Sequence, residues 1–398
     1  MYKRHQDFAE YRPVASEQLD AILESKVVDV SGLTEPIIIE KIELLFNCGI
    51  YFVRTMAKDG LVGIAPSNDR VSFCYQILEK QIAPYFIGKD ARNLETLLKE
   101  VYVYENNYKL AGVPYYSCIS ALELSILDLL AKAKQVNIGR LFGPKIHDHA
   151  MIYVASGNRH TTPEEELEIL KREVDRLGAK AIKYKIGGRM SKNKDSMAGR
   201  SENLIYGTRR FFGDDMIIHA DGNGSYDVEN AVRFGKIMED INGYFYEEPC
   251  PFDDLWATKA VCDQLTIPLA FGEQETSLRR FKWLVENHGT DVVQPDILYN
   301  GGLIRTTKVA KMAELAGMTI TPHVSTGFCF VYILYLSSYT PNIGKYQENK
   351  KGFEISNELL DGRLTLGNGQ LTIPDPVGIG IREDQEILKK AIRLFYVK

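Results

Sequence analysis

The sequence predicts an α/β protein, specifically a (β/α)7β-type TIM barrel preceded by an N-terminal α+β capping domain. From about residue 150 onward, apolar strands and amphipathic helices alternate in units of about 25 residues, the pattern of a parallel sheet with helical crossovers. Seven or eight such units fit a closed barrel better than an open doubly wound sheet. No GxGxxG motif follows the first strand, which also disfavours a dinucleotide-binding sheet.

The chain before residue 150 has the pattern of a separate α+β module. The runs PIIIEKIELLF, IYFVRTMA and LVGIA are separated by the turns NCG and KDG, so we predict an antiparallel meander there. Helices are predicted around 71 to 84, 90 to 105 and 120 to 135. Residues 1 to 35 have no strong periodicity and are predicted to form an arm or a loop of unknown role.

The length of 398 residues exceeds what one hydrophobic core usually supports, which predicts more than one domain. We expect a capping domain over residues 1–148 and a barrel over residues 149–365. The last segment, 366–398, is expected to pack back on the capping domain.

Composition excludes several classes of protein. The net charge is -5, with 48 Lys and Arg against 53 Asp and Glu, so nucleic acid is not expected as a partner. The N-terminus lacks the apolar core of a signal peptide, and no long uncharged apolar run predicts a membrane span. We therefore expect a cytoplasmic protein. The six cysteines form no CxxC pairs and are predicted to be buried thiols.

Ionisable residues close the predicted barrel strands from the second strand onward. The carboxyl ends of barrel strands meet at one face, where the loops build the active site of this architecture. The residues at these positions are Lys183 and Lys185, Asp221, Glu247, Glu273, Asp296, His323 and Glu348.

Three of these residues, Asp221, Glu247 and Glu273, are acids on consecutive strands. Their mutual repulsion requires a cation, and a ligand set made only of oxygen atoms favours Mg²⁺. A single acid at a strand end is more often a helix N-cap, which is our interpretation of Asp227 and Asp254. Three acids on consecutive units predict a metal site instead.

The remaining groups fit around such a site. Lys183 and Lys185 project from the same face of one strand, and an acidic barrel mouth explains why two ammonium groups are tolerated there. Asp296 and His323 end neighbouring strands. A carboxylate that binds one imidazole nitrogen fixes the tautomer and keeps the ring basic, which predicts an acid/base dyad. A purely structural histidine is the alternative.

Taken together, the motifs resemble those of a known family. KYKIG, ADGN, YEEP, FGE, QPD and TPH, in this order on successive strands, resemble the mandelate racemase subgroup of the enolase superfamily. The resemblance extends from about residue 36 to the end of the chain and includes the closing IPDPVGIGI. The first 35 residues have no counterpart in it.

The resemblance implies a role for each matching residue. Lys183 would lie close to the substrate carboxylate, and Lys185 would be an acid/base group. Asn223 would lie beside the metal and a substrate hydroxyl. The other implied roles are Mg²⁺ ligation by Asp221, Glu247 and Glu273, acid/base chemistry by the Asp296 and His323 dyad, and substrate contact by Glu348.

Removal of a proton beside a carboxylate gives an enediolate, which metal and lysine charges stabilise. We expect elimination of water from an acid sugar to give a 2-keto-3-deoxy acid, a lyase reaction of carbohydrate acid metabolism. The alternatives are a racemase or epimerase of a 2-hydroxy acid or amino acid derivative, and a scaffold without catalysis. The family also implies a homo-oligomer.

Further polar residues are candidates for hydrogen bonds to a hydroxylated substrate. The polar loop RMSKNKDSMAGRSE after Lys185 is expected to lie over the site. The other candidates, besides Asn223, are His219, Gln274, Ser325, Thr326, Arg189 and Asn193.

Overall fold

The computed structural model describes residues 4–350, 359–360 and 364–398. Its strands are β1 Ile39–Asn47, β2 Ile50–Ala57, β3 Val62–Ser67, β4 His149–Ala155, β5 Ala181–Lys185, β6 Ile217–Asp221, β7 Phe245–Glu247, β8 Leu269–Phe271, β9 Val292–Val293, β10 Thr319–Ile320, β11 Tyr346–Asn349, β12 Leu366–Gly367, β13 Gln370–Thr372 and β14 Ile392–Val397.

Its α-helices are α1 Ser16–Glu24, α2 Val71–Ile77, α3 Ala83–Phe86, α4 Leu94–Val103, α5 Val113–Lys134, α6 Pro163–Leu177, α7 Arg200–Phe212, α8 Val228–Asp240, α9 Leu255–Cys262, α10 Leu278–Glu286, α11 Leu303–Leu315, α12 Cys329–Tyr339 and α13 Glu386–Lys389. A π-helical turn, Leu78–Ile82, joins α2 to α3. This turn explains why the sequence pattern predicts one continuous helix there.

Strands β4 to β11 form the barrel, which confirms the predicted fold class. Neighbours from β4 to β10 pair in parallel, and β11 pairs in parallel with β4. A parallel bridge between Ile320 and Ile343, just before β11, joins the last gap in the ring. Because seven helices, α6 to α12, connect these eight strands, the topology is (β/α)7β. All the strand ends that carry the predicted site residues therefore meet at one mouth.

The capping sheet has the order β14, β1, β2, β3 and is antiparallel, as the meander pattern predicts. Helix α5 packs across β2 and β3. Gly63 permits this close approach, since a Cβ at this position would lie 1.9 Å from the Ser125 carbonyl oxygen. By length and composition α5 could cross a membrane, but 83% of its most apolar window is buried inside the protein. It is a core helix here.

Helix α5 begins earlier than the sequence pattern predicts. The prediction placed its start near residue 120, whereas it begins at Val113, with Pro114 in the first turn. Proline is favoured there because the first turn of a helix has no intrahelical partner for its amide N–H. The tyrosine-rich first turns hid this start from a search for aliphatic periodicity.

Residues 4–35, here called the N-terminal arm, link the barrel to the capping domain. The prediction of an irregular arm missed helix α1, which packs against α10 and α11. Phe8 is buried beneath the barrel, with its ring 4.7 Å from that of Tyr244. At the other end, the N–H groups of Val27 and Val28 donate to Glu95 of α4, each at 2.9 Å. The arm thus contacts both domains.

The C-terminal segment is divided between the two domains. Strands β12 and β13 form a hairpin that pairs with β4 of the barrel, whereas β14 pairs with β1 of the capping sheet. The prediction that all of 366–398 packs on the capping domain therefore misplaces its first part. The domain boundaries otherwise stay a prediction.

The cysteines largely follow the expectation of buried free thiols. Five of the six are buried, and all six are free. The exception is Cys48, which is exposed because it occupies the turn between β1 and β2 with a φ of 49°.

Candidate active site

Three carboxylates converge at the barrel mouth. Asp221 and Glu247 are the last residues of β6 and β7, and Glu273 follows β8 by two residues. One oxygen from each lies within 4.8 Å of the others, and all three side chains are buried. Three buried carboxylates at this spacing fit a hard divalent cation, because Mg²⁺ prefers oxygen ligands and the cluster needs positive charge. Here we call these three residues the acidic trio.

The two lysines of β5 neutralise part of this charge. The Lys183 Nζ lies 2.7 Å from Glu247 Oε2 and 2.9 Å from Glu348 Oε1. The Lys185 ammonium is bound directly to Asp221 Oδ2. Both side chains are buried, so the acidic mouth and not solvent accommodates their charge, as the sequence pattern indicates.

The surroundings of the acidic trio shift the pKa values of its members in different directions. Burial alone would raise the pKa of Asp221, but Lys185 and Lys183 outweigh burial and lower it. At Glu247 the effect of burial is larger than the opposing effect of Lys183, so the pKa of this carboxyl is raised to about 7. The pKa of Glu273 is lowered, because His323 and Lys185 together outweigh its burial. A divalent cation would favour the ionised form of all three.

Asp296 and His323 form the predicted pair. His323 Nδ1 lies 2.8 Å from Asp296 Oδ2, and a backbone bridge links the two residues. The other oxygen of Asp296 accepts from the N–H groups of Leu298 and Tyr299, at 2.8 and 3.1 Å. This carboxylate is therefore fixed, and it orients the imidazole with Nε2 toward the mouth, 3.2 Å from Glu273 Oε2.

Glu348 and Asn223 also lie in the cluster. Glu348 Oε2 accepts from the Val324 N–H at 2.9 Å. The backbone N–H of Asn223 donates to Asp221 at 2.8 Å, and its side-chain amide lies 3.3 Å from Glu273. The structure thus brings all nine predicted site residues together, and their individual roles stay predictions.

Two cations at the mouth escaped the sequence analysis. Arg159 follows β4 and donates through Nη2 to Asn223 Oδ1 at 2.5 Å. Lys350 places Nζ 2.8 Å from His323 Nε2. Arg159 lies in a loop several residues beyond its strand, so no strand-end pattern marks it. Lys350 comes two residues after Glu348, directly beyond the end of β11, and this spacing could have indicated that both side chains face the mouth.

Glu248, the second glutamate of YEEP, is a further buried acid. Its oxygen lies 3.4 Å from Asn223 Nδ2, and its φ is 42°. Burial, reinforced by Glu273 and Asp221, raises its pKa well above the usual range. A neutral Glu248 can donate a hydrogen bond at the edge of the acidic trio.

His219 is not at the mouth, contrary to its selection as a substrate-binding candidate. It is fully buried, with its ring 4.1 Å from Phe245, and Nδ1 lies 2.9 Å from the Ile182 carbonyl oxygen. Burial lowers its pKa to about 3. It shares a strand face with Asp221 but lies one layer deeper, and strand alternation does not report depth.

The other substrate-binding candidates divide into two groups. Gln274 and Ser325 lie at the site, donating to Glu273 at 3.2 Å and to Asp296 at 3.3 Å. Arg189 is exposed, and Asn193 binds the helix-capping Asp227. Thr326 lies just beyond Ser325 and is half-buried.

The loop after β5 contacts the loop after β6 that carries Asn223, and its expected position over the site stays a prediction. The Met190 N–H donates to the Asn223 carbonyl oxygen at 2.9 Å, and the Asn193 N–H donates to Ser225 at 2.7 Å. Asp227 and Asp254 cap helices α8 and α9, which confirms their interpretation as N-caps.

Two family descriptions match the chain. "Enolase C-terminal domain-like" matches residues 165–387, and "Mandelate racemase / muconate lactonizing enzyme, N-terminal domain" matches residues 45–143. The first match covers the barrel from helix α6 onward, without β4, and the second covers most of the capping module.

Relatives with assigned activities have low sequence identity to this chain, but the aligned regions cover most of both chains. An arabinonate dehydratase of Saccharolobus solfataricus is 25% identical over 331 residues, covering 81% of this chain and 85% of the relative. An L-talarate/galactarate dehydratase of Salmonella typhimurium is 26% identical over 341 residues, covering 84% of this chain and 81% of the relative.

Solved structures agree with the fold. A candidate racemase from Roseobacter denitrificans is 30% identical with a TM-score of 0.84, covering 91% of this chain and all of the other. A mandelate racemase/muconate lactonizing protein from Paracoccus denitrificans, solved with magnesium, is 24% identical with a TM-score of 0.82, covering 90% of this chain and 99% of the other.

Proposed function

Because this chain belongs to the mandelate racemase and muconate lactonizing enzyme family of the enolase superfamily, we propose that it is a Mg²⁺-dependent acid-sugar dehydratase. It would remove the proton beside the substrate carboxylate and eliminate the neighbouring hydroxyl as water. The product would be a 2-keto-3-deoxy acid, formed when the resulting enol becomes the ketone.

One observation carries this proposal. The acidic trio lies between two acid/base groups, because Lys185 contacts Asp221 at one side and His323 Nε2 lies 3.2 Å from Glu273 at the other. The two groups come from the second and seventh barrel strands. A carboxylic acid held at the trio would therefore have an amine on one face and an imidazole on the other.

The acidic trio would hold the metal ion. When bound, Mg²⁺ supplies positive charge that stabilises the two oxygens of the developing enediolate. Lys183 adds a second fixed charge. Although burial opposes ionisation of Lys183, Glu247 and Glu348 outweigh it and raise its pKa well above the usual value, so the ammonium persists. This cation can neutralise the substrate carboxylate.

Lys185 is the proposed base and His323 the proposed acid. Lys185 would accept the proton from the carbon next to the carboxylate. The His323 pKa is raised, because Glu273, Glu348 and Asp296 together outweigh its burial and the nearby Lys350. The raised pKa favours the imidazolium, which can donate a proton to the departing hydroxyl, and Asp296 would stabilise it in that form.

The relatives support dehydration over other outcomes. The dehydratases reported above cover more than four fifths of this chain, and polar groups such as Asn223, Gln274 and Ser325 suit a hydroxylated acid. The second candidate is a racemase or epimerase of a 2-hydroxy acid or amino acid derivative. Bases on opposite faces of one carbon favour it, because one can remove a proton and the other return it.

The two reactions separate in one assay. Purified protein with Mg²⁺ is incubated in D₂O with a panel of aldonic, uronic and aldaric acids, and both 2-keto acid and deuterium in recovered substrate are measured. We expect keto acid from at least one member. If recovered substrate carries deuterium at the carbon beside the carboxylate and no keto acid forms, the dehydratase proposal is wrong and the racemase or epimerase reaction takes its place.

Two controls test whether the product comes from this site. EDTA treatment and Lys185→Met should each remove keto acid formation, and Mg²⁺ should restore it only in the parent protein. A protein that is inactive on every acid and unaffected by these changes would support the scaffold alternative. We also propose a homo-oligomer, which light scattering tests directly.

A further inference from the structure

A second cavity lies away from the barrel mouth. It has a volume of about 520 Å³ and lies where the N-terminal arm, the capping domain and the barrel helices meet. Leu23 of the arm, Leu98 and Tyr116 of the capping domain, and Arg305 and Lys308 of α11 are among the residues that line it. This volume is in the range of pockets that bind small organic molecules.

Two cations in this lining form no ion pair with a carboxylate of the described residues. Lys308 is buried and donates through Nζ to the Leu23 carbonyl oxygen at 2.7 Å. Arg305 donates to the carbonyl oxygens of Asn300 and Thr276, at 2.5 and 2.6 Å. Within the part of the chain that the structure describes, no ion pair joins either residue to a carboxylate. Burial lowers the pKa of both cations.

Buried charge without a partner is costly, so this arrangement indicates a missing anion. Of the two carboxylates in the lining, Glu275 is paired elsewhere and Glu95 is bound through one of its two oxygens. Glu275 binds Arg280 at 3.0 Å, and Glu95 accepts the N–H groups of the arm through Oε1. Glu95 acts on Lys308, and Glu275 on Arg305, only through space; neither forms an ion pair with these cations among the described residues.

The lining also has aromatic and apolar members, beside the polar residues Lys99, Thr276, Ser277, Arg279 and Arg280. The guanidinium of Arg305 lies 4.1 Å from the ring centre of Tyr116, a cation–π contact. Tyr115 is 1% exposed, and its hydroxyl has no hydrogen-bond partner among the described residues. A buried hydroxyl normally finds a partner, so this one is an independent sign of an absent ligand.

We propose that this cavity is a second binding site, which takes a small organic anion with an aromatic or apolar body. The anionic group would pair with Lys308 and Arg305, and the hydroxyl of Tyr115 would donate to it. The body would pack on Tyr116 and Leu98. The site is separate from the acidic trio and needs no metal ion.

Lys308 is the better residue to substitute in a test, because Arg305 also holds two loops at the barrel mouth. Its two carbonyl partners belong to the loops that follow β8 and β9, and the second loop carries Asp296. The Asn300 N–H in turn donates to the Asp296 carbonyl oxygen at 2.8 Å. Replacing Arg305 would therefore disturb the loop that carries Asp296, whereas the hydrogen bond of Lys308 goes to Leu23 of the arm.

The probe is 3-phenylpropionate, which has a carboxylate and an aromatic body but no 2-hydroxyl group. Binding to the full-length protein is measured by calorimetry in EDTA and again in Mg²⁺. We expect one bound molecule per chain under both conditions, with binding to the neutral amide at least about tenfold weaker, since loss of one charge contact is worth about 1.4 kcal/mol or more.

Three variants locate the binding. Lys308→Met should weaken it about tenfold or more, while Lys311→Met, an exposed lysine three residues later on α11, should leave it unchanged. Lys183→Met should also leave it unchanged, because that lysine serves the barrel mouth. If Lys308→Met does not fold, Leu98→Trp, which fills the cavity from α4, decides the question.

No binding up to about 10 mM, a concentration at which even weak sites fill, would overturn the proposal. So would equal binding in the parent and in Lys308→Met, or binding that Lys183→Met abolishes.

Discussion

The Nζ of Lys350 lies 2.8 Å from Nε2 of His323, on the side of the ring opposite Asp296. The same nitrogen lies 3.2 Å from Glu273 Oε2, so a cation and an anion compete for it. The anion favours a protonated imidazole and the cation disfavours it. Lys350 therefore adjusts the proton affinity of the proposed catalytic acid.

Removing the Lys350 charge tests this relationship. In Lys350→Met the pKa of His323 should rise further, because a nearby positive charge is lost. The imidazolium would persist to higher pH, so the alkaline limb of the pH–rate profile for dehydration should move upward. Lys345→Met serves as the control, since that lysine is exposed and pairs with Asp7. An identical profile in Lys350→Met and Lys345→Met would contradict this function of Lys350.

The acidic trio should bind one Mg²⁺ per chain. Replacing Glu247 by Gln should weaken Mg²⁺ binding about 100-fold or more. Loss of a side chain that only orients a metal ligand can already lower metal affinity by this factor, and Glu247 is proposed to bind the metal directly. Asp254→Asn is the matched control, since Asp254 caps a helix and lies outside the trio. Calorimetry with Mg²⁺ measures both. Equal affinities in the two variants would exclude the trio as the metal site.

The N-terminal arm should stabilise the fold through Phe8. Truncation in Phe8→Ala should cost about 3 kcal/mol of unfolding free energy, because the ring is buried against Tyr244 beneath the barrel. Phe73→Ala should change it by less than about 0.5 kcal/mol, since Phe73 is 86% exposed. Urea unfolding measures both values. A loss in Phe8→Ala no larger than that in Phe73→Ala would show that the arm is not anchored there.

Glu123 should make stability depend on pH. It is fully buried in α5, its Oε1 accepts the Ile304 N–H at 3.0 Å, and burial raises its pKa to about 8. The unfolded carboxyl has a pKa of about 4.3, so between about pH 4 and pH 8 the folded state holds a proton that the unfolded state has lost. Stability from this group should therefore fall as the pH rises through that window and level off above it.

Glu123→Gln removes the titrating group and keeps an oxygen acceptor for Ile304. The unfolding free energy at pH 8 should then exceed that of the parent by at least about 1 kcal/mol, with a smaller difference at pH 5. Glu168→Gln, an exposed residue of α6, is the control. A Glu123→Gln variant that is less stable than the parent at pH 8 would show that the ionised carboxylate is the favoured native form.

Strand-end positions explain why so much of the site was predictable. From the second barrel strand onward, each unit places one or two ionisable residues at or just beyond its carboxyl end, and the topology then gathers residues such as Lys185, Glu273 and His323 from distant parts of the chain. Loop residues lack this regularity. Arg159 reaches Asn223 from the loop after β4, and no spacing in the sequence indicates that contact.

Two other features could not be predicted from the sequence: how deep a side chain lies in the barrel, and which short helices are stabilised by tertiary packing. His219 was selected as a substrate-binding candidate because strand alternation cannot distinguish the mouth from the aromatic layer below it. Helix α1 escaped prediction because nine residues with one fully buried leucine, Leu19, give a weak pattern. Its packing on α10 and α11 stabilises it, and that packing is not visible in local sequence.

The position of the acidic trio between Lys185 and His323 is tested most directly by following hydrogen exchange and dehydration separately. An acid that the panel identifies as a substrate is incubated in D₂O with the parent, His323→Asn and Lys185→Met. We predict that His323→Asn loses keto acid formation but still exchanges the hydrogen beside the carboxylate, whereas Lys185→Met loses both. Keto acid formation at the parent rate in either variant, or neither reaction with any acid, would contradict the mechanism.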